Sequence, residues 1–234
     1  MQDMKLKVGT ERSRRIIKLI LALICAATLV FFLIRFVPLS HKDDEAELLR
    51  VVSKLYPMEQ NYSPTLVQVE QIQVSQRCQE DLLLLLQAMQ AEGFEPVLLE
   101  GYVDRKTQRL NYAAEIEQLQ ALGLSYDEAE ALMLSPGENE HQLGLAVDIA
   151  DAANPVKDPA FADSQLYKWL EEHCWEYGFV IRYPQEKEEL TGREFVPWHF
   201  RYVGSESAML MKELQLCLEE FYTWFYSDEV IIIE

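Results

Sequence analysis

The sequence predicts an α+β fold in which helices surround a small antiparallel sheet, preceded by one N-terminal transmembrane helix. Three observations lead there. Beyond residue 78 the helix-length amphipathic segments come mainly first and the short apolar runs mainly later, the order of an α+β domain rather than of alternating βαβ units. Near the N-terminus a single apolar run reaches roughly 20 residues, about one bilayer crossing. The 234 residues suffice for one domain with a sizeable core plus a smaller appendage.

The apolar run contains "LILALICAATLVFFLI", residues 19–34, without a charged or strongly polar residue. Ahead of it stand Lys5, Lys7, Arg12, Arg14, Arg15 and Lys18, and behind it the chain turns abruptly to "SHKDDEAE". A buried helix and a cleaved signal peptide are the competing readings. The basic leader and abrupt polar exit disfavour the first, and the lack of a small-x-small cleavage site disfavours the second. Basic flanks stay inside, so residues 1–18 are expected as a cytoplasmic leader and 19–38 as a single-pass signal anchor. Residues 39–64, charged and punctuated by prolines, are expected as a membrane-proximal stalk with one amphipathic run, "AELLRVVSKLY".

The main domain is expected over 65–234. "TLVQVEQIQV" alternates apolar and polar residues as an extended segment does. "CQEDLLLLLQAMQAEG" has helix length, strong helix formers and a stopping Gly93. "EPVLLEGY" is a short strand. "DRKTQRLNYAAEIEQLQALG" is an amphipathic helix, and Ser125 caps the next, with Asp127 and Glu128 in its favourable first turn. "LGLAVDIA" is a strand carrying Asp148, Ser164 precedes another helix, and "FVIRYP" and "HFRYV" are strands separated by a polar turn. "ESAMLMKELQLCLEEFYTWFY" is expected to close the domain as one helix.

Composition excludes one class of partner. The net charge is −18, and most of the excess acid lies beyond the anchor. Such a body repels phosphate backbones, so nucleic acid is not an expected partner. Cys25 falls in the apolar run, leaving Cys78, Cys174 and Cys217, none in a C-x-x-C pattern. All three read as small buried hydrophobes rather than ligands or cystine.

Chemistry concentrates in two stretches. "PGENEHQLGLAVDIAD" places His141 and Asp148 seven residues apart, and "VPWHFRYVG" adds His199 on a later strand. Imidazole and carboxylate are favoured zinc ligands, and a catalytic site keeps a fourth position open. Gly144 and Ala146 let backbone and ion approach closely, so one zinc ion held on the sheet by His141, Asp148 and His199 is the expectation.

These stretches, with "EGYVDRKTQ" earlier and "WLEEHCWEYGFVIRYP" between them, resemble the VanY-type D-alanyl-D-alanine carboxypeptidases over roughly residues 65–225. The family belongs to the zinc peptidases of the lysostaphin, D-Ala-D-Ala peptidase and hedgehog group. The likeness rests on the pattern S-x-H-x-x-G-x-A-x-D plus E-P-W-H. It implies zinc ligation by His141, Asp148 and His199, and peptidoglycan stem peptides as partners at the plasma membrane of a bacterium. It also implies a glutamate base, the first residue of E-P-W-H, which takes a water proton and returns it to the leaving amine.

This chain departs from the pattern at three positions. Val196 stands where the base belongs, and valine cannot carry a proton. Asn139 replaces the serine of S-x-H. Val103 replaces the arginine of "SGYRS" that would hold a substrate carboxylate. Arg105 and Arg182 are the candidate replacements for that clamp, with Asn139 and Gln108 as further substrate contacts. Glu194 is the candidate substitute base, sharing the face of Val196 about 7 Å along if the segment is extended. Glu138 and Glu140 are expected as solvated surface acids.

Three readings follow. The first is a membrane-anchored D,D-carboxypeptidase-like protein with impaired catalysis. The second is a non-catalytic cell-wall peptide-binding relative, and the third a tethered scaffold that binds a partner through its acidic surface or the aromatic "FYTWFY".

Overall fold

The computed structural model describes residues 46–226. The leader and signal anchor expected at 1–18 and 19–38 lie outside these residues. Among the described residues no helix is long and apolar enough to cross a membrane.

The first strands form a hairpin of their own. β1 (Leu66–Val69) pairs antiparallel with β2 (Ile72–Ser75), Leu66 opposite Ser75 and Val69 opposite Ile72. The single extended segment expected here thus folds back on itself, at a turn where Glu70 takes a φ of 49°. Four further strands make a second antiparallel sheet in the order β3-β4-β6-β5: β3 (Pro96–Glu100), β4 (Ala146–Asp151), β5 (Phe179–Ile181) and β6 (His199–Tyr202).

Helix α1 (Gln79–Ala91) buries Leu82, Leu85, Leu86 and Met89, an i, i+3, i+4, i+7 stripe, and leaves Leu83 and Leu84 exposed. That stripe joins a core with Leu98 of β3, Val147 and Ile149 of β4, and Phe200 and Tyr202 of β6. Because side chains alternate along a strand, Ala146, Asp148 and Ala150 of β4, and His199 and Arg201 of β6, face the other side. Helix α2 (Arg105–Ala121) starts at Asp104, whose side chain accepts from Thr107 N. Helix α3 (Tyr126–Leu132) begins with a complete capping box of Ser125 and Glu128. Helix α4 (Gln165–His173) follows Ser164 as expected, and the Ser164 side chain caps it by accepting from Tyr167 N.

Two expectations about helices need correction. The polar turn after β5 contains a short helix, α5 (Glu188–Thr191), which Gly192 ends in the left-handed conformation. The closing helix is two: α6 (Ser205–Leu214) stops at Gln215, with φ 55°, and α7 (Leu218–Phe225) restarts after Cys217. A left-handed residue ends the helical hydrogen-bond ladder, and helix propensity does not reveal it.

The stretch expected as a stalk is, from residue 46, part of the folded body. Leu49 and Val51 are buried beside Val203, Met211 and Phe221, and Val52 and Met58 belong to the main core. The Arg201 guanidinium donates to the carbonyls of Leu48 and Arg50, tying the segment to the sheet. Cys78, Cys174 and Cys217 are free and buried, as expected.

Candidate metal centre

Sheet register assembles the site. Asp148 lies opposite Glu100 on one side and opposite His199 on the other, so three polar side chains sit abreast on the face away from α1. His141 comes from the 3-10 turn Glu140–Leu143 just ahead of β4. Asn139 caps that turn, its Oδ1 accepting from His141 N at 3.1 Å, and Gly144 closes it with φ 71°. Tight turn, left-handed glycine and strand bring His141 back over Asp148.

The ligand atoms of His141, Asp148 and His199 lie within 4.8 Å of one another, and all three residues are buried. Asp148 Oδ1 is the convergence point, 3.2 Å from His141 Nε2 and 2.8 Å from His199 Nδ1. The opposite ring nitrogens are anchored from behind. His141 Nδ1 meets the Gly101 carbonyl at 2.7 Å, so it carries the proton and leaves the Nε2 lone pair facing inward. His199 Nε2 lies 3.6 Å from Glu140 Oε2, an ion-pair distance, and neither of these buried atoms has a hydrogen-bond partner among the described residues. A proton on Nε2 directed at Glu140 leaves the His199 Nδ1 lone pair for a cation. Two inward lone pairs, a carboxylate oxygen and two outer acceptors are what a zinc ion requires, so the residues fit one.

Burial opposes charge on Asp148 and His141, yet their partners prevail. Burial alone would raise the Asp148 pKa, but His141 and His199 hold it well below the usual carboxylate range. Burial would lower that of His141, and the charge of Asp148 raises it instead.

Behind His199 lies a buried ion cluster that the sequence did not disclose. Glu140, expected as a surface acid, is 1% exposed, accepts a hydrogen bond from Arg182 Nε at 2.8 Å and forms an ion pair with Arg201 Nη1 at 2.9 Å. The Arg182 guanidinium also grips Glu219 of α7 with both terminal nitrogens. Glu140 therefore stays ionised despite burial, which would favour its neutral form, because two arginines face it.

A cleft of about 330 Å³ opens over the centre, lined by Glu100, Gln108, Asn139, Lys157, Arg193 and Val196 among others. Val196 stands on its wall. Gln108 and Asn139 are tied together, Asn139 Nδ2 donating to Gln108 Oε1 at 2.8 Å, while Gln108 Nε2 donates to the Leu134 carbonyl. Lys157 reaches in from the loop after β4 to bond Glu100 and, at 2.7 Å, Asp148 Oδ2.

The remaining candidates stand elsewhere. Arg182 is buried in the ion cluster and does not line the cleft, because its donors are engaged by Glu140 and Glu219. Arg105 packs its guanidinium on Gly137, also outside the cleft lining. Glu194 is exposed and outside the lining: residues 192–198 are not a strand, so the period-2 placement beside Val196 does not apply. Val103 is buried, its N–H donating to the His141 carbonyl. Residues the sequence reading gave no site role, Lys157, Tyr183 and Arg193, line the cleft; their positions come from loops without a periodic signal.

The comparisons agree with this geometry. The family profile "VanY: D-alanyl-D-alanine carboxypeptidase" matches residues 71–205. The chain is 30% identical over 187 residues to the putative carboxypeptidase YodJ of Bacillus subtilis (strain 168), covering 75% of this chain and 67% of that protein. It is 34% identical over 188 residues to a D-alanyl-D-alanine carboxypeptidase of Enterococcus faecalis, covering 76% and 67%. Among solved structures, a zinc complex of the VanY D,D-pentapeptidase from a VanB-type vancomycin resistance cassette superposes with TM-score 0.67 at 33% identity, covering 75% of this chain and 98% of that one. The LdcB LD-carboxypeptidase superposes with TM-score 0.68 at 31% identity, covering 80% and 88%. Fold, metal triangle and sequence together make this chain a member of the VanY D-alanyl-D-alanine carboxypeptidase family.

Proposed function

We propose that the protein binds the D-Ala-D-Ala termini of peptidoglycan stem peptides at a zinc centre and hydrolyses them slowly. The observation that carries this reading is the convergence of His141, Asp148 and His199 on one point at the floor of a cleft whose wall carries Val196. When bound there, zinc supplies a Lewis acid for a peptide carbonyl and lowers the pKa of water. The chain's own residues supply the rest. Gly101 and Glu140 orient the two imidazoles, and Gln108 and Asn139 present amide groups along the cleft. Val196 takes no proton, and the absence of a general base costs about 10²–10⁴-fold in rate.

A non-catalytic, peptide-binding role is the second reading. It is favoured by the Lys157 ammonium, which holds Glu100, a carboxylate of the cleft beside His141, in an ion pair. The proposal includes anchoring through residues 19–38 in a bacterial plasma membrane with the domain outside the cytoplasm, supported by the basic leader and apolar run.

Zinc content and hydrolysis of a D-Ala-D-Ala-ended pentapeptide, measured side by side for wild type and Val196→Glu, test the reading. One zinc per chain is expected, lost in His141→Ala and His199→Ala. Val196→Glu should raise turnover; no zinc in the wild type sinks both readings, and no gain from the glutamate leaves the binding role.

A further inference from the structure

We propose that Arg193 is the residue that receives the C-terminal carboxylate of a peptide lying in this cleft, an assignment that rests on the peptide-binding function proposed above. A free carboxylate entering a low-dielectric cleft needs a cation with donors not already engaged. The cleft lining contains two cations, Lys157 and Arg193. The Lys157 ammonium is held by Glu100 and Asp148 Oδ2. Arg193 has neither an ion pair nor a side-chain hydrogen bond among the described residues, and its one described side-chain contact is with the Tyr183 ring, 5.6 Å from guanidinium carbon to ring centre. It is half-buried, and its planar fork of five donors is the group suited to bidentate carboxylate recognition.

Its position is built by the surrounding loop. Gly192 ends α5 in the left-handed conformation and turns the chain toward the cleft. Thr191 Oγ1 donates to the Arg193 carbonyl, Phe195 N donates to Glu188 Oε1 at 2.8 Å, and Val196 N donates to the Tyr183 carbonyl. Tyr183 in turn stacks on His199, ring centres 5.3 Å apart. Arg193 thus stands one aromatic ring from a metal ligand. A peptide whose last peptide carbonyl lies at the metal triangle extends one residue further to its carboxylate, about 3.3–3.6 Å of chain, within the cleft that Arg193 also lines. Lys157 meanwhile offsets the negative charge of Glu100 and Asp148, which would otherwise repel the same carboxylate. Specificity for a free C-terminus then comes from the loop ahead of Val196, whereas Val103 is buried behind His141.

The test is calorimetric binding to the full-length zinc-loaded protein, using a D-Ala-D-Ala-ended pentapeptide as free acid and as C-terminal amide. Wild type should prefer the acid by about 10- to 100-fold, the usual worth of a hydrogen-bonded charge. Arg193→Met should bind acid and amide alike, Arg193→Lys should keep part of the preference, and Arg105→Met should keep all of it. Zinc content and thermal midpoint establish that each variant is folded. Retention of the full acid preference in Arg193→Met, or equal binding of acid and amide by wild type, overturns the assignment while leaving peptide binding intact. If wild type binds neither peptide, the proposed function falls and the assignment with it.

Discussion

Replacing Arg182 with methionine separates a structural role from a substrate-binding one. The change removes the Nε bond to Glu140 at 2.8 Å, the Nη1 bond to Glu219 at 3.0 Å and a second bond to Glu219. Glu140 keeps Arg201 Nη1 at 2.9 Å, but Glu219, 3% exposed, is left with no cation among the described residues. Breaking a buried ion pair from one side costs about 3–5 kcal/mol, because the remaining charge stays desolvated. For a domain of this size each kcal/mol shifts the midpoint by about 2–4 °C, so a fall of about 6–20 °C in Tm is expected. Adding Glu219→Leu should restore part of the loss, since an apolar pair replaces the stranded charge. Thermal and urea unfolding of the full-length protein read the effect, alongside titration with the stem pentapeptide. A Tm within about 2 °C of wild type, together with lost peptide binding, would refute the structural assignment and return Arg182 to the substrate.

Two further outcomes are expected. Gly144→Ala should cost about 1–2 kcal/mol in urea unfolding, because Gly144 has φ 71° and an added Cβ would stand 3.0 Å from Ser75 N; an unchanged urea midpoint counts against the tight turn that sets His141 over Asp148. Burial pushes the thiols of Cys78, Cys174 and Cys217 up to about 12. Unfolded thiols release protons above about pH 8.5, so this part of the stability is intact below that pH and is lost as pH rises toward the folded value. In the native protein these three cysteines should resist iodoacetamide at about pH 9, where each reacts in the urea-unfolded chain; rapid native labelling of any of the three would contradict their burial.

Much of the architecture is legible from local chemistry. Asp104, Ser125 and Ser164 each cap the helix that follows, the leucine run of α1 carries its apolar period, and short apolar runs become the strands of an antiparallel sheet. Less legible were the features set by a single backbone residue: the turn at Glu70 that makes two strands of one segment, and the left-handed Gln215 that makes two helices of one. Neither changes the hydrophobic pattern from which elements are read.

At the site the division has a different cause. Residue type and spacing by themselves marked His141, Asp148 and His199 as candidate ligands, because metal chemistry restricts both residue type and approach, and the resemblance of the two motifs to the VanY-type pattern pointed to the family. The departure of Val196 from the E-P-W-H pattern was equally visible, since valine has no proton to exchange. Only the tertiary structure decided what the other charges do. Among 39 acidic residues no local signal marks Glu140 as buried behind His199, or Glu100 as the cross-strand neighbour of Asp148. Arg182, Arg105 and Arg193 are likewise the same residue type in sequence. One is enclosed by two carboxylates, one packs on Gly137 and one faces the cleft. The role of a charge depends on the neighbours and the water around it, and those are set by contacts between residues far apart in the chain.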